Sequence, residues 1–283
     1  MANNLELLDY EEEVGPQTTQ INLKRKREDI DDTSLTVNTN TFRDFLLKPD
    51  IVRAIEDCGI DQPTELQHEC LPQAMLGMDL LCQAKSGMGK TTVFVLSTLQ
   101  QLEPAVRSPS TLVLCHTQKA AVQIGEAYKC FSRHMPHVKV GVFFDGLTAE
   151  DDERMLEEMM PHIVIGTPGR ILTLVRSDKL NLEQVKLFII NECAQVLERL
   201  YMRHDVEELH RVIPNAKQTM ICATTMLSDE IRRVCKKFVH SPLEIYENDQ
   251  AKLSLRGLER PKIKRKKVES NVELFSSFNL LKF

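Results

Sequence analysis

The chain has 283 residues, 42% hydrophobic and 27% charged, with a formal net charge of −5 and eight cysteines. That length holds one sizeable core or two small ones, and the acidic balance excludes a body that grips nucleic acid by bulk charge. The cysteines at 58, 70, 82, 115, 130, 193, 222 and 235 form no C-x-x-C pair, which argues against a disulfide framework or a zinc site and favours a reducing compartment.

Residues 1 to 40 hold nine Asp/Glu against four Lys/Arg and few large apolar groups. Such a segment buries too little surface to offset its ordering entropy, so a disordered acidic arm carrying a basic cluster, Lys24 to Arg27 (KRKR), is expected. The start, MANNLELLDYEEE, is acidic where a signal peptide would be basic, and no run of 18 apolar residues occurs. The expectation is a soluble, intracellular protein with no membrane partner.

From Thr41 the pattern changes. Short runs of Val, Ile and Leu at 79–83, 111–115, 138–144, 162–165, 186–190 and 219–222 predict strands, and amphipathic stretches at 90–102, 120–134, 168–176, 196–212 and 228–238 predict helices. This alternation predicts an α/β domain over 41–250, with a mostly parallel sheet flanked by helices. The body from 41 to 255 carries 24 positive and 29 negative residues, so it is not basic. Residues 251–283 form a basic tail: 256 to 283 hold eight Lys/Arg against three Glu and include Lys262 to Lys267 (KIKRKK). The two basic clusters suit nuclear import or nonspecific phosphate binding.

The strongest motif is AKSGMGKTT, running through Ala84, Lys85, Ser86, Gly87, Met88, Gly89, Lys90, Thr91 and Thr92 between a predicted strand and a predicted helix. This is a P-loop. Its backbone N–H groups cradle phosphates at a helix N-terminus, its lysine reaches the β- and γ-phosphates, and the Thr91 hydroxyl ligates Mg²⁺. Alone it fits a kinase, a GTPase or any ATPase.

Further segments narrow the choice: FRDFLLKP from Phe42, Gln67 at the end of a TELQ stretch, CHTQKAAVQ from Cys115, TPGR from Thr167 to Arg170, NECA from Asn191 to Ala194, and CATT from Cys222. In this order the set resembles the DEAD-box RNA helicases. With LLDYEEE, CQAKSGMGKT and TPGRIL it resembles the DECD-box subgroup of splicing and mRNA-export helicases in particular. The resemblance implies a RecA-like first helicase domain, with the tail resembling the opening of a second one, and ATP with Mg²⁺ as cofactors. It implies RNA and mRNA-export or splicing proteins as partners, in the nucleus.

It also implies residue roles. Gln67 would read adenine with Phe42 packed nearby, and residues 84–92 would hold ATP. Thr117, Thr167, Pro168, Gly169 and Arg170 would contact the RNA backbone, and Glu192 would activate the attacking water. Thr91 and Asn191 would hold the metal.

Departures from the family pattern point the other way. Asn191 and Ala194 stand where the family has aspartates, which weakens the metal site and removes a hydrogen-bond acceptor. Gln118 and Lys119 replace an Arg-Glu pair, Asp145 replaces a glycine of a Gly-Gly turn, and the segment after Cys222 is one residue longer. Together with the second-domain arginines expected to be missing, these changes predict a hydrolysis-defective binding module. An active ATP-dependent RNA helicase is the alternative.

Overall fold

In the computed structural model the described residues are 41–103, 108–146 and 148–248, with the backbone alone for 252–256. The expected acidic arm, the far tail and both basic clusters lie outside them.

Seven strands run parallel: β1 (Leu80–Gln83), β2 (Thr111–Leu114), β3 (Val140–Phe143), β4 (Ile163–Gly166), β5 (Leu187–Ile190), β6 (Gln218–Ala223) and β7 (Leu243–Asn248). An eighth, β8 (Lys252–Arg256), pairs antiparallel with β7, giving the order β3-β4-β2-β5-β6-β1-β7-β8. The helices are α1 (Pro49–Asp57), α2 (Glu65–Met75), α3 (Lys90–Gln101), α4 (Gln118–Phe131), α5 (Ala149–Met159), α6 (Pro168–Arg176), α7 (Cys193–Leu197), α8 (Leu200–Val212) and α9 (Asp229–Phe238).

The strands read as unbroken apolar runs because both faces are covered. Their side chains alternate between two cores. Leu80, Cys82, Val113, Ile165, Ile189 and Met220 pack with Ile51, Leu66, Phe94 and Tyr128 of α1 to α4. Leu81, Leu112, Val164, Phe188, Ile190 and Ile221 pack instead with Ile171, Val196, Leu209 and Val234 of α6 to α9. Four helices begin at a hydroxyl that accepts a hydrogen bond from a first-turn N–H: Thr64 for α2, Thr117 for α4, Thr148 for α5 and Ser228 for α9.

Helices α1 and α2 and the antiparallel β8 add to the expected elements, and further features differ from the expected pattern. The predicted helix over 196–212 is two helices, because Arg199 is extended (φ −84°, ψ 110°) and turns the chain between α7 and α8. The helix α5 was hidden by its acidity, burying Leu156 and Asp152 on an otherwise polar surface. The strand β7, beside β1, extends the parallel sheet past the last predicted strand.

In the second core His210 lies between the rings of Phe188 and Phe238, with centroids at 5.7 and 5.1 Å. Burial, helped by the nearby Lys217 charge, pushes its pKa from 6.5 down to about 4. A depressed histidine pKa means the folded state holds fewer protons than the unfolded one. Its contribution to stability is therefore complete above pH 6.5 and is lost as pH falls towards 4. Thermal unfolding across that window should show a shallower decline for His210→Phe than for the wild type. Parallel curves would remove His210 as the source.

Candidate functional site

The sheet order places β5, β6 and β1 side by side, so the segments that leave their C-terminal ends converge. A crevice beyond the carboxyl ends of the strands is where parallel α/β sheets bind ligands. Here it is a cleft of about 450 Å³ lined by Ser86, Gly87, Gly89, Lys90, Thr91, His116, Ala120, Gln123, Ile124, Asn191, Glu192 and Thr224.

The loop after β1 has the backbone that a phosphate cradle needs. Gly87 (φ +85°) and Gly89 (φ +81°) are left-handed, and α3 starts directly behind Gly89. Lys90 is buried and donates to the carbonyls of Ala84 and Lys85, at 2.7 Å for the latter, so its ammonium is folded into the loop it would use. An incoming phosphate would compete with those carbonyls for the ammonium. Open backbone, helix N-terminus and lysine together fit a polyphosphate.

Gln67 is buried behind this loop. Its amide nitrogen donates to the Gly89 carbonyl at 3.3 Å, and its amide oxygen accepts from Thr64 N–H at 2.9 Å. Thr64 in turn accepts from Gln67 N–H and donates to the Met88 carbonyl, so one capping box anchors both α2 and the P-loop. Phe42 is buried 6.0 Å from Phe45 in the first core, and the cleft is lined without it, Gln67 or Thr92.

Across the cleft, Asn191 follows β5 and Glu192 caps α7 in a left-handed conformation (φ 54°, ψ 54°), a strained state for a residue with a side chain. The Glu192 carboxylate accepts from Thr224 N–H at 3.0 Å and from the Thr224 hydroxyl at 2.6 Å. One of its oxygens is thus held by the loop after β6. For a hard cation the site offers the Thr91 hydroxyl, the Asn191 amide oxygen and Glu192, all oxygen donors, with a neutral amide where an anion binds more strongly. Ala194 packs inside the second core, so an aspartate there would be desolvated.

Sequence reasoning did not single out Thr224 or His116. His116 faces the Glu192 charge with its Nδ1 buried and unpartnered, and burial lowers its pKa, keeping the ring neutral at physiological pH. A polar residue within two positions of the end of a strand that stops at the cleft is the signal that could have found both.

The residues assigned to a backbone-reading surface sit at the ends of β2 and β4, and each polar one is engaged within the chain. Thr117 accepts from Ala120 N–H at 3.2 Å, capping α4. The Thr167 hydroxyl donates to Asp145 at 3.2 Å, while Pro168 and Gly169 form the first turn of α6. Arg170 donates to Asp152 at 2.5 Å and to the Thr148 carbonyl at 3.0 Å.

Residues 64–234 match the DEAD/DEAH box helicase family. The chain belongs to that family. It is 52% identical over 285 residues to the ATP-dependent RNA helicase WM6 of Drosophila melanogaster, covering 100% of this chain and 67% of that protein. It is 50% identical over 279 residues to the human ATP-dependent RNA helicase DDX39A, covering 98% of this chain and 65% of that one. The chain thus spans about two thirds of the length of these relatives. Among solved structures, a DEAD box protein from Methanococcus jannaschii superposes with a TM-score of 0.68 at 25% identity, over 74% of this chain and 56% of that one. S. cerevisiae Dbp5 bound to RNA and ADP BeF3 superposes with a TM-score of 0.67 at 22% identity, over 74% and 52% of the two chains. The fold of this DEAD/DEAH box chain is therefore a RecA-like P-loop domain, as the motif order implies. Among the described residues no helix is long and apolar enough to cross a membrane.

Proposed function

We propose that this chain is a nuclear RNA-helicase relative of the mRNA splicing and export type that binds ATP, hydrolyses it poorly, and acts as a binding module. The observation that carries the reading is the pairing at the cleft: an intact P-loop with Lys90 faces Asn191, a neutral amide in the metal position, beside a Glu192 carboxylate already held by Thr224. ATP-dependence in the named relatives supports ATP as the nucleotide, and the oxygen donors suit a weakly held Mg²⁺. RNA binding is weakened in the same reading, because Thr167 and Arg170 are occupied by Asp145 and Asp152. The nuclear assignment and the mRNA-export or splicing partners rest on the resemblance and on the basic clusters at 24–27 and 262–267.

Calorimetry on the purified chain should show ATP binding that falls roughly tenfold to a hundredfold in Lys90→Ala, the loss of about 1.5 to 3 kcal/mol in charge-assisted hydrogen bonds. RNA-stimulated hydrolysis should stay at background. A helicase-like rate would overturn the defective-hydrolysis reading and leave the ATP site standing. Unchanged ATP affinity in Lys90→Ala would overturn the site.

A further inference from the structure

His116 lines the cleft together with Asn191, Glu192 and Thr224, and backbone pairing fixes its place. β2 and β5 are neighbours with Leu114 in register with Ile190, and Asn191 N–H donates to the Leu114 carbonyl at 2.9 Å. On the other side of β2, Cys115 N–H donates to the Gly166 carbonyl at 2.9 Å, and Thr117 caps α4. His116 therefore stands between two anchored residues, at a strand end that adjoins the Asn191–Glu192 segment. Its Nδ1 is enclosed and has no hydrogen-bond partner among the described residues. An enclosed acceptor without a partner is tolerated better than an enclosed N–H, so the ring proton belongs on Nε2. Burial also holds the ring below the ordinary histidine pKa, in keeping with a neutral imidazole that has one N–H to give.

The two sides of the cleft divide the recognition of a polyphosphate. Left-handed Gly87 and Gly89 and the N-terminus of α3 suit the inner phosphates, with Lys90 reaching the terminal one from the same side. On the facing side the terminal phosphate meets a like charge on Glu192, one of whose oxygens is already taken by Thr224. The neutral side-chain N–H donors that line the cleft beyond the P-loop are those of His116, Asn191 and Gln123. Gln123 is exposed on α4, and Asn191 is the residue whose amide oxygen is offered to a cation. The His116 ring is left as the fixed donor.

We propose that His116 reads the terminal phosphate of ATP, its Nε2–H donating to a γ-phosphate oxygen and so favouring the triphosphate over the diphosphate. The contact rests on the ATP site proposed above and adds to it a recognition residue outside the P-loop. A hydrogen bond from this ring to a phosphate oxygen is charge-assisted, and ATP can accept it where ADP cannot. A neutral donor suits the place, because a cation there would pair with Glu192 instead.

The test is calorimetric titration of the purified full chain with ATP and with ADP, both with Mg²⁺, for the wild type, His116→Ala, His116→Gln and His116→Asn. His116→Ala should weaken ATP about tenfold and ADP by less than about twofold, the loss of one charge-assisted hydrogen bond. Gln places an amide N–H close to the position of Nε2 and should recover most of the difference. Asn, whose amide falls nearer the position of Nδ1, should not. A purely structural role would weaken both nucleotides alike, so equal losses for ATP and ADP would overturn the proposal, as would rescue by Asn and not by Gln. If circular dichroism shows that His116→Ala does not fold, the Gln and Asn variants decide the matter on the same ATP-to-ADP ratio. Wild-type binding that depends on Lys90, with a ratio that His116 variants leave unchanged, would sink this inference alone. Failure of the wild type to bind either nucleotide would sink the ATP site with it.

Discussion

Gly89→Ala should abolish nucleotide binding and lower stability by about 2 to 5 kcal/mol. A Cβ added at Gly89 lands 2.0 Å from the Gln67 amide nitrogen and 2.8 Å from its carbonyl carbon, and φ at this position is +81°. Left-handed backbone costs an L-residue about 1 to 2 kcal/mol. Displacing the Gln67 side chain forfeits its bonds to the Gly89 carbonyl and to Thr64 N–H, each worth about 0.5 to 1.5 kcal/mol, and leaves buried polar atoms unpaired. The clash and the backbone strain can be separated. Gln67→Ala removes the obstructing side chain, so the double variant should recover about 1 to 3 kcal/mol relative to the sum of the two single losses. Urea unfolding and ATP titration of the four proteins measure the cycle. Strictly additive losses would mean that Gln67 does not brace the P-loop.

That bracing also shows what a sequence can and cannot disclose. The P-loop was legible because its glycines and lysine follow an apolar run and open a helical one, and each residue type has its own physical reason to be there. The strands were legible because burial on both faces leaves continuous apolar runs. Gln67 was legible as important, but its tie to Gly89 depends on packing between segments 22 residues apart. Likewise the left-handed Glu192 and its grip by Thr224 arise only when β5 and β6 are neighbours. For α5, apolar periodicity failed because one side of the helix packs an ion pair rather than a hydrophobic stripe. The Thr148 cap, with Asp151 three residues later and acids throughout the first turn, was the signal present in the sequence.

Asp152→Ala should destabilise the domain by about 3 to 5 kcal/mol, the usual cost of removing one partner from a buried ion pair. The Asp152 side chain is 0% exposed and that of Arg170 is 13% exposed, so the contact joins α5 to α6 away from solvent screening. Burial nevertheless raises the Asp152 carboxyl above its usual range, with Arg170 pulling in the other direction. The carboxylate therefore carries its charge at a desolvation penalty, and the pair contributes position more than net stability. It follows that replacing both partners, as Asp152→Leu with Arg170→Leu, should restore most of what Asp152→Ala loses. Chemical denaturation distinguishes the cases, because a double variant as unstable as Asp152→Ala would show that the pair itself supplies stability. A loss under about 1 kcal/mol for Asp152→Ala would mean that Arg170 swings out to water once released. The same variant should then bind a single-stranded RNA more tightly than the wild type, since removing Asp152 takes away the carboxylate that neutralises the Arg170 guanidinium.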